Sequence, residues 1–145
     1  MDGRTWTRGF SGRFDVTSPA CIFTTPHPYV LGVRVQGIGY AIGTVHPDDP
    51  ALLEVTPLSC SASDVRDGRM FLADHLWVYA FDGVRLLWQS RRLSLDGISN
   101  LTYSNGIVRG IARDVEIESV PFSINADTGE SEGGFTDFDF QPTDD

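Results

Sequence analysis

At 145 residues, with 41 % apolar residues and 16 aromatic side chains (Phe 9, Tyr 4, Trp 3), the chain has the size and composition of one globular domain and not of a disordered chain. The net charge of −9 is unevenly placed: residues 114–145 carry ten acids and no base, whereas residues 1–113 set ten acids against eleven arginines. Such a field repels phosphate backbones, which argues against nucleic acid, and it favours a basic protein partner or a divalent cation. No stretch of the chain approaches the roughly 20 apolar residues of a membrane helix, and Met1 to Phe10 hold no signal-peptide core. The expectation is a cytoplasmic protein without a membrane partner.

Residues 1–20 are polar and turn-rich, an expected arm or loosely packed strand around Phe10 to Val16. Cys21 to Thr25 reads as a short strand, and Pro26-His27-Pro28 forces an extended kink because each proline fixes φ and removes a donor. Tyr29 to Gln36 alternates, with Leu31, Val33 and Val35 on one face. Ile38 to Val45 is strand-like but contains Gly39 and Gly43, and strand glycines mark a bulge or a close approach by another backbone. A loop at His46 to Pro50 precedes Ala51 to Val55, a helical turn or a strand. Ser59 to Asp64 is small and polar, and Arg66-Asp67-Gly68 reads as a turn.

Between Asp67 and Gly134 one theme is stated twice. Strands at Arg69–Ala73, Leu76–Phe81 and Val84–Trp88 are followed by strands at Ile98–Tyr103, Ile107–Ala112 and Val120–Ala126. The dipeptides Asp82-Gly83 and Asn105-Gly106 separate them and predict hairpins, because both residue types tolerate the positive φ of a type I′ turn. Ile22–Thr24, Val30–Gln36 and Tyr40–Val45 form a degraded third copy. With no segment of helical period, the predicted fold is all-β: antiparallel, blade-like meanders in an open sandwich or barrel, or a partial propeller. Residues 1–135 make the single domain, and 136–145 an acidic, mobile C-terminal tail.

The segments Tyr79-Ala-Phe-Asp-Gly83 with Leu87-Trp88, and Ser123-Ile-Asn-Ala-Asp-Thr-Gly129, resemble blades of quinoprotein-type β-propellers. Two or three blades cannot close a ring, so the resemblance implies self-association, or meanders folded into a sandwich. Leu87 to Ile98, Val108 to Ala112 and the Pro121-Phe122 to Gly134 segment resemble a family of small bacterial proteins. That resemblance covers residues 70–134 and implies a discrete β domain without any particular activity.

Among candidate sites, Asp127-Thr128-Gly129 matches the aspartic-protease triplet, but Glu130 follows it and sixteen residues remain, so a hairpin turn explains it better. Gly37 to Gly43 is a nucleotide fingerprint only superficially, with its third glycine one position late and no helix after it. His27, His46, His75, Cys21 and Cys60 lack zinc-ligand spacing, and the cysteines read as small buried hydrophobes. Asp137, Asp139 and the Asp127, Glu130 and Glu132 cluster offer calcium-type oxygens without a cage. No serine sits in a nucleophile elbow. No catalytic residue, metal ligand or cofactor is therefore assigned.

Trp88, Arg91, Arg92 and Asp96 form the suggested partner-binding patch, because Trp and Arg are favoured interface anchors; the alternative is an Arg–Asp pair bracing the turn. The expected function is a non-catalytic binding or protein-interaction module of immunity or adaptor type, recognising a basic partner and forming a homodimer through unpaired strand edges. The rival is a small ligand-binding barrel or enzyme, with Trp77, Tyr79, Trp88, Arg91 and Arg92 lining a pocket.

Overall fold

The computed structural model describes residues 7, 9–10, 20–45, 51–53, 55, 57–83, 85–113 and 119–135. Most of the Phe10–Val16 arm, the loop with His46, the acids between 114 and 118, and the 136–145 tail with Asp137 and Asp139 lie outside the described residues.

The described residues contain twelve strands and no helix, so the domain is all-β. The first sheet is β1 (Cys21–Thr24), β2 (Val30–Val35), β3 (Ile38–Gly43) and β4 (Ala51–Leu52). The second is β5 (Cys60–Asp64), β6 (Arg69–Ala73), β7 (Val78–Asp82) and β8 (Arg85–Gln89). The third is β9 (Ile98–Ser104), β10 (Ile107–Arg113), β11 (Ser119–Asn125) and β12 (Ser131–Gly133). Each sheet is an antiparallel meander in chain order, and none closes into a barrel. Each meander therefore has four strands rather than three, and the first sheet has the same strand order as the other two.

Turn chemistry fixes the registers. Asn105 (φ 51°) and Gly106 (φ 83°) link the paired residues Ser104 and Ile107, the two successive positive φ angles of a type I′ turn. Gln36 (φ 47°) and Gly37 (φ 83°) do the same between Val35 and Ile38, with a residue type that gives no turn signal. At Asp82-Gly83 the positive φ is on Gly83 (62°) and not on Asp82, which ends β7 opposite Arg85, so this dipeptide does not form the I′ turn expected of it.

Alternation along β6 and β7 places the second sheet in the middle of a stack. Phe71, Ala73, Val78 and Ala80 point to one side, where they pack with Ile98, Leu101, Val108, Ala112, Phe122 and Ile124 of the third sheet. Met70, Leu72, Tyr79 and Phe81 point the other way and meet Val55, Leu58, Phe23 and Leu53. The first strands lie side by side, β5 against β9 and, less extensively, against β1. Each inter-sheet connection runs from the last strand of one sheet to the first of the next. The second connection is anchored by buried Ser94, whose Oγ accepts the N–H groups of Gly97 and Arg113 (3.1 Å each) and donates to the carbonyl of Arg113 (3.0 Å) or of Gly97.

Candidate binding cleft

The first and second sheets do not meet along their whole length. On β3 the residues facing the second sheet are Gly39, Ala41 and Gly43, a row of small residues at period two. At Gly39 the space is taken up: a Cβ there would stand 2.6 Å from Leu58 Cδ2 and 3.0 Å from Leu53 Cδ1. Further along, Ala41 pairs with Ala51 of β4, and neither reaches the opposite wall of Met70, Leu72 and Phe81. The result is a cleft of about 520 Å³, rimmed by the β1–β2 turn (Thr25 to His27), Gly68 and Gly83. Its lining is predominantly apolar; its polar side chains are Thr25 and His27 of the β1–β2 turn and Asp82 at the end of β7.

A smaller cavity of about 200 Å³ lies between the same sheets, lined by Cys21, Phe23, Arg34, Leu58, Cys60 and Ser61. The Arg34 guanidinium donates to the Ser59 carbonyl beside it. Burial pushes the Cys60 thiol up to about 11, against weaker opposing pulls from the Leu101 backbone and Arg34, so it stays protonated. Both cysteines are free and half-buried.

Trp88, Arg91, Arg92 and Asp96 do not converge on the cleft. Trp88 Nε1 donates to the Ala126 carbonyl (2.7 Å), and its ring lies so close to Gly129 that a Cβ there would be 2.9 Å away. Arg91 donates to the carbonyls of Gly133 (2.5 Å) and Phe135 (3.0 Å). Together these two side chains hold the β11–β12 hairpin against the second sheet. Arg92 Nε donates to the Ser94 carbonyl (3.1 Å); Asp96 is exposed, and its N–H donates to the Arg113 carbonyl (2.9 Å). Among the described residues no ion pair joins Arg91 to Asp96. Nor do Tyr79 and Trp88 line one pocket: Trp88 pairs with Ala80, one residue beyond Tyr79, so the two rings lie on opposite faces of the second sheet. Tyr79 is held instead by Asp74, to whose Oδ2 its hydroxyl donates (3.1 Å), and burial followed by that carboxylate pushes its pKa up to about 12.

Comparisons with protein-family models, with curated proteins and with solved structures found no match.

Sequence reasoning missed Arg69, which makes more side-chain hydrogen bonds across two sheets than the residues it singled out. Arg69 on β6 donates through Nε and Nη2 to Asp64 Oδ2 (3.0 and 2.9 Å), and through Nη1 to Asp127 Oδ1 (2.7 Å) and the Ala126 carbonyl (3.1 Å). Its guanidinium lies 5.9 Å from the ring centroids of both Phe71 and Tyr103. Burial alone would raise the Asp64 pKa; hydrogen bonds from Arg69 and from the Asp67 N–H outweigh it and hold the carboxyl below its ordinary 3.8. Asp127 is thus a tether for Arg69, and Asp127-Thr128-Gly129 belongs to the β11–β12 turn. There the Asn125 side chain accepts the N–H groups of Asp127 (2.9 Å) and Thr128 (3.2 Å). His75 is exposed, and no group of three metal-binding side chains occurs among the described residues.

Proposed function

We propose that this chain is a non-catalytic binding module whose ligand enters the cleft between the first two sheets. The observation that carries the reading is the mismatched pair of walls, Ala41 and Ala51 facing Met70, Leu72 and Phe81 across a space of about 520 Å³. Ligand sites are typically about 300–1,000 Å³, mostly apolar, with a few polar groups that orient the occupant. The groups with shifted pKa values support binding over acid–base chemistry here. Asp64 and Arg69 serve each other, Tyr79 serves Asp74, Cys60 is buried elsewhere, and none lines the cleft.

The stack is consistent with a three-blade segment of a propeller-like assembly, since successive meanders connect last strand to first strand with their first strands adjacent. The cleft is then the gap between the first two blades, where small side chains on one of them leave it unfilled.

The test uses 1-anilinonaphthalene-8-sulfonate as an apolar reporter. The native protein is expected to enhance its fluorescence saturably, and Ala41→Trp, which fills the cleft, should remove the enhancement while retaining the β-sheet circular dichroism. Equal uptake by both proteins would overturn the assignment. A second reading rests on the ten acids of residues 114–145. They suit a basic protein partner, and such a complex should dissociate at 1 M salt, where the Debye length falls to about 3 Å.

A further inference from the structure

Two polar side chains of the cleft lie at the β1–β2 turn and a third, Asp82, ends β7. A carboxylate there offers no donor to an anionic or acceptor group, so the donors are those at the turn, where the groups differ in what they have left to offer. The Thr25 hydroxyl is consumed within its own turn: it accepts the His27 N–H (3.2 Å) and donates to the carbonyl of Val30 (2.9 Å) or His27 (3.1 Å). His27 is different. Its Nδ1 accepts the Tyr29 N–H (3.3 Å), so in the neutral ring the proton belongs to Nε2, which leaves one donor on an exposed side chain at the rim. Behind that rim the lining is aliphatic or thioether, Val30, Ala41, Leu53, Met70 and Leu72, with Phe81 as its single aromatic ring. Among the described residues no tryptophan or tyrosine ring lines the cleft to clamp a planar molecule: Trp88 and Tyr103 pack on the face toward the third sheet, and Tyr79 packs against the cluster of Val55, Leu58, Leu72 and Phe81. A peptide backbone is also a poor fit. The Gly39 carbonyl already accepts the Leu53 N–H (2.9 Å), and β3 and β4 are paired, so an entering amide would be buried among apolar side chains.

Resting on the reading of this cleft as a binding site, we propose that its occupant is a single aliphatic chain bearing an oxygen acceptor at one end. The chain lies between the sheets and the oxygen accepts from His27 Nε2. A fatty alcohol and a fatty acid share this chemistry, and the charge of the protein separates them. At −9 the full chain opposes a carboxylate over long range, so the neutral alcohol binds more tightly at low salt and the gap narrows as salt is raised.

The experiment is calorimetric titration of the full chain with decanol, dodecanol and laurate at low and high salt. Affinity should rise about four-fold per added methylene while the chain still fits, the ratio that follows from transferring each CH₂ out of water. His27→Phe keeps a ring at the rim and removes the donor; it should weaken dodecanol and laurate alike by about ten-fold, the worth of one hydrogen bond. Ala41→Trp should abolish both. Met70→Ala, which enlarges the cleft without overpacking it, should move the optimum to longer chains, so the test does not depend on one variant folding. Absence of the methylene increment, or indifference to His27→Phe, overturns the aliphatic-chain assignment. If dodecanol fails but the naphthalene reporter is still excluded by Ala41→Trp, the cleft stands as a binding site and only the ligand class falls. If both fail, the site itself is refuted.

Discussion

Arg69 shows how one side chain joins two sheets. It leaves β6 on the face toward the third sheet, passes the rings of Phe71 and Tyr103, and ends between a buried carboxylate on its own sheet and an exposed one on the next. The two acids differ in exposure, with side-chain values of 2 % for Asp64 and 78 % for Asp127, and that difference decides their worth. Removing the charge of Asp64 leaves a desolvated guanidinium short of its partner, so Asp64→Asn is expected to cost about 2 kcal/mol. Asp127 is screened by water, and Asp127→Asn should cost less than about 1 kcal/mol. The pH dependence follows from the lowered pKa of Asp64. A carboxyl more acidic in the folded than in the unfolded chain stabilises fully above the unfolded value and loses that contribution as pH falls through the folded one. Urea denaturation from about pH 6 downward should therefore show the native protein weakening below about pH 4, with a shallower fall for Asp64→Asn. Identical slopes for the two proteins would remove Asp64 from the account.

Within each sheet a phenylalanine is paired across the ladder with a residue that has almost no side chain: Phe23 with Gly32, Phe71 with Ala80, Phe122 with Gly110. The small partner gives the ring room to lie over the neighbouring strand, a space-filling device of twisted sheets. At Gly110 a Cβ would stand 2.5 Å from Phe122 Cζ and 3.2 Å from Leu101 Cδ1, so Gly110→Ala must displace both. The expected loss is about 1–3 kcal/mol by chemical denaturation, and Phe122→Leu in the same chain should cost less than the two changes added separately. Strand glycines at Gly39 and Gly43 announce a close approach in the sequence, but not what approaches; at Gly39 it is the side chains of Leu58 and Leu53. Elements carried by local chemistry were legible, such as the Asn105-Gly106 hairpin and the alternation of β2. β5 was not, because Ser61, Ser63 and Asp64 carry no apolar alternation and the strand is ordered by its place beside β9. β12, Ser-Glu-Gly, is an edge held by Phe122 to Ile124 of β11. The cleft was invisible for a different reason: its walls come from residues between Thr25 and Gly83 that only the stacking of sheets brings together.

The stack is uneven as a whole. Between the second and third sheets lies a continuous core in which Phe71, Val78, Leu93, Val108 and Ala112 are fully buried, reinforced by Arg69, Trp88 and Arg91 crossing to the third sheet. Between the first and second sheets the buried cluster among the described residues is Val55, Leu58, Leu72 and Phe81, with Phe23, Leu53, Met70 and Tyr79 partly buried against it, and the cleft lies beside them. Local opening follows the density of buried contacts, so the first sheet should separate from the other two at a lower free energy than global unfolding requires. Native-state hydrogen exchange provides the measurement. Amides of β2 and β3 are expected to exchange through a sub-global opening with weak dependence on denaturant, while those of β6, β7, β10 and β11 exchange only with the whole domain. A ligand seated in the cleft contacts both walls and must slow exchange in β2 and β3 selectively, by its mass-action stabilisation of the closed stack. Uniform protection across the three sheets, with or without dodecanol, would mean that the two interfaces are energetically equal and that the cleft does not mark the weaker one.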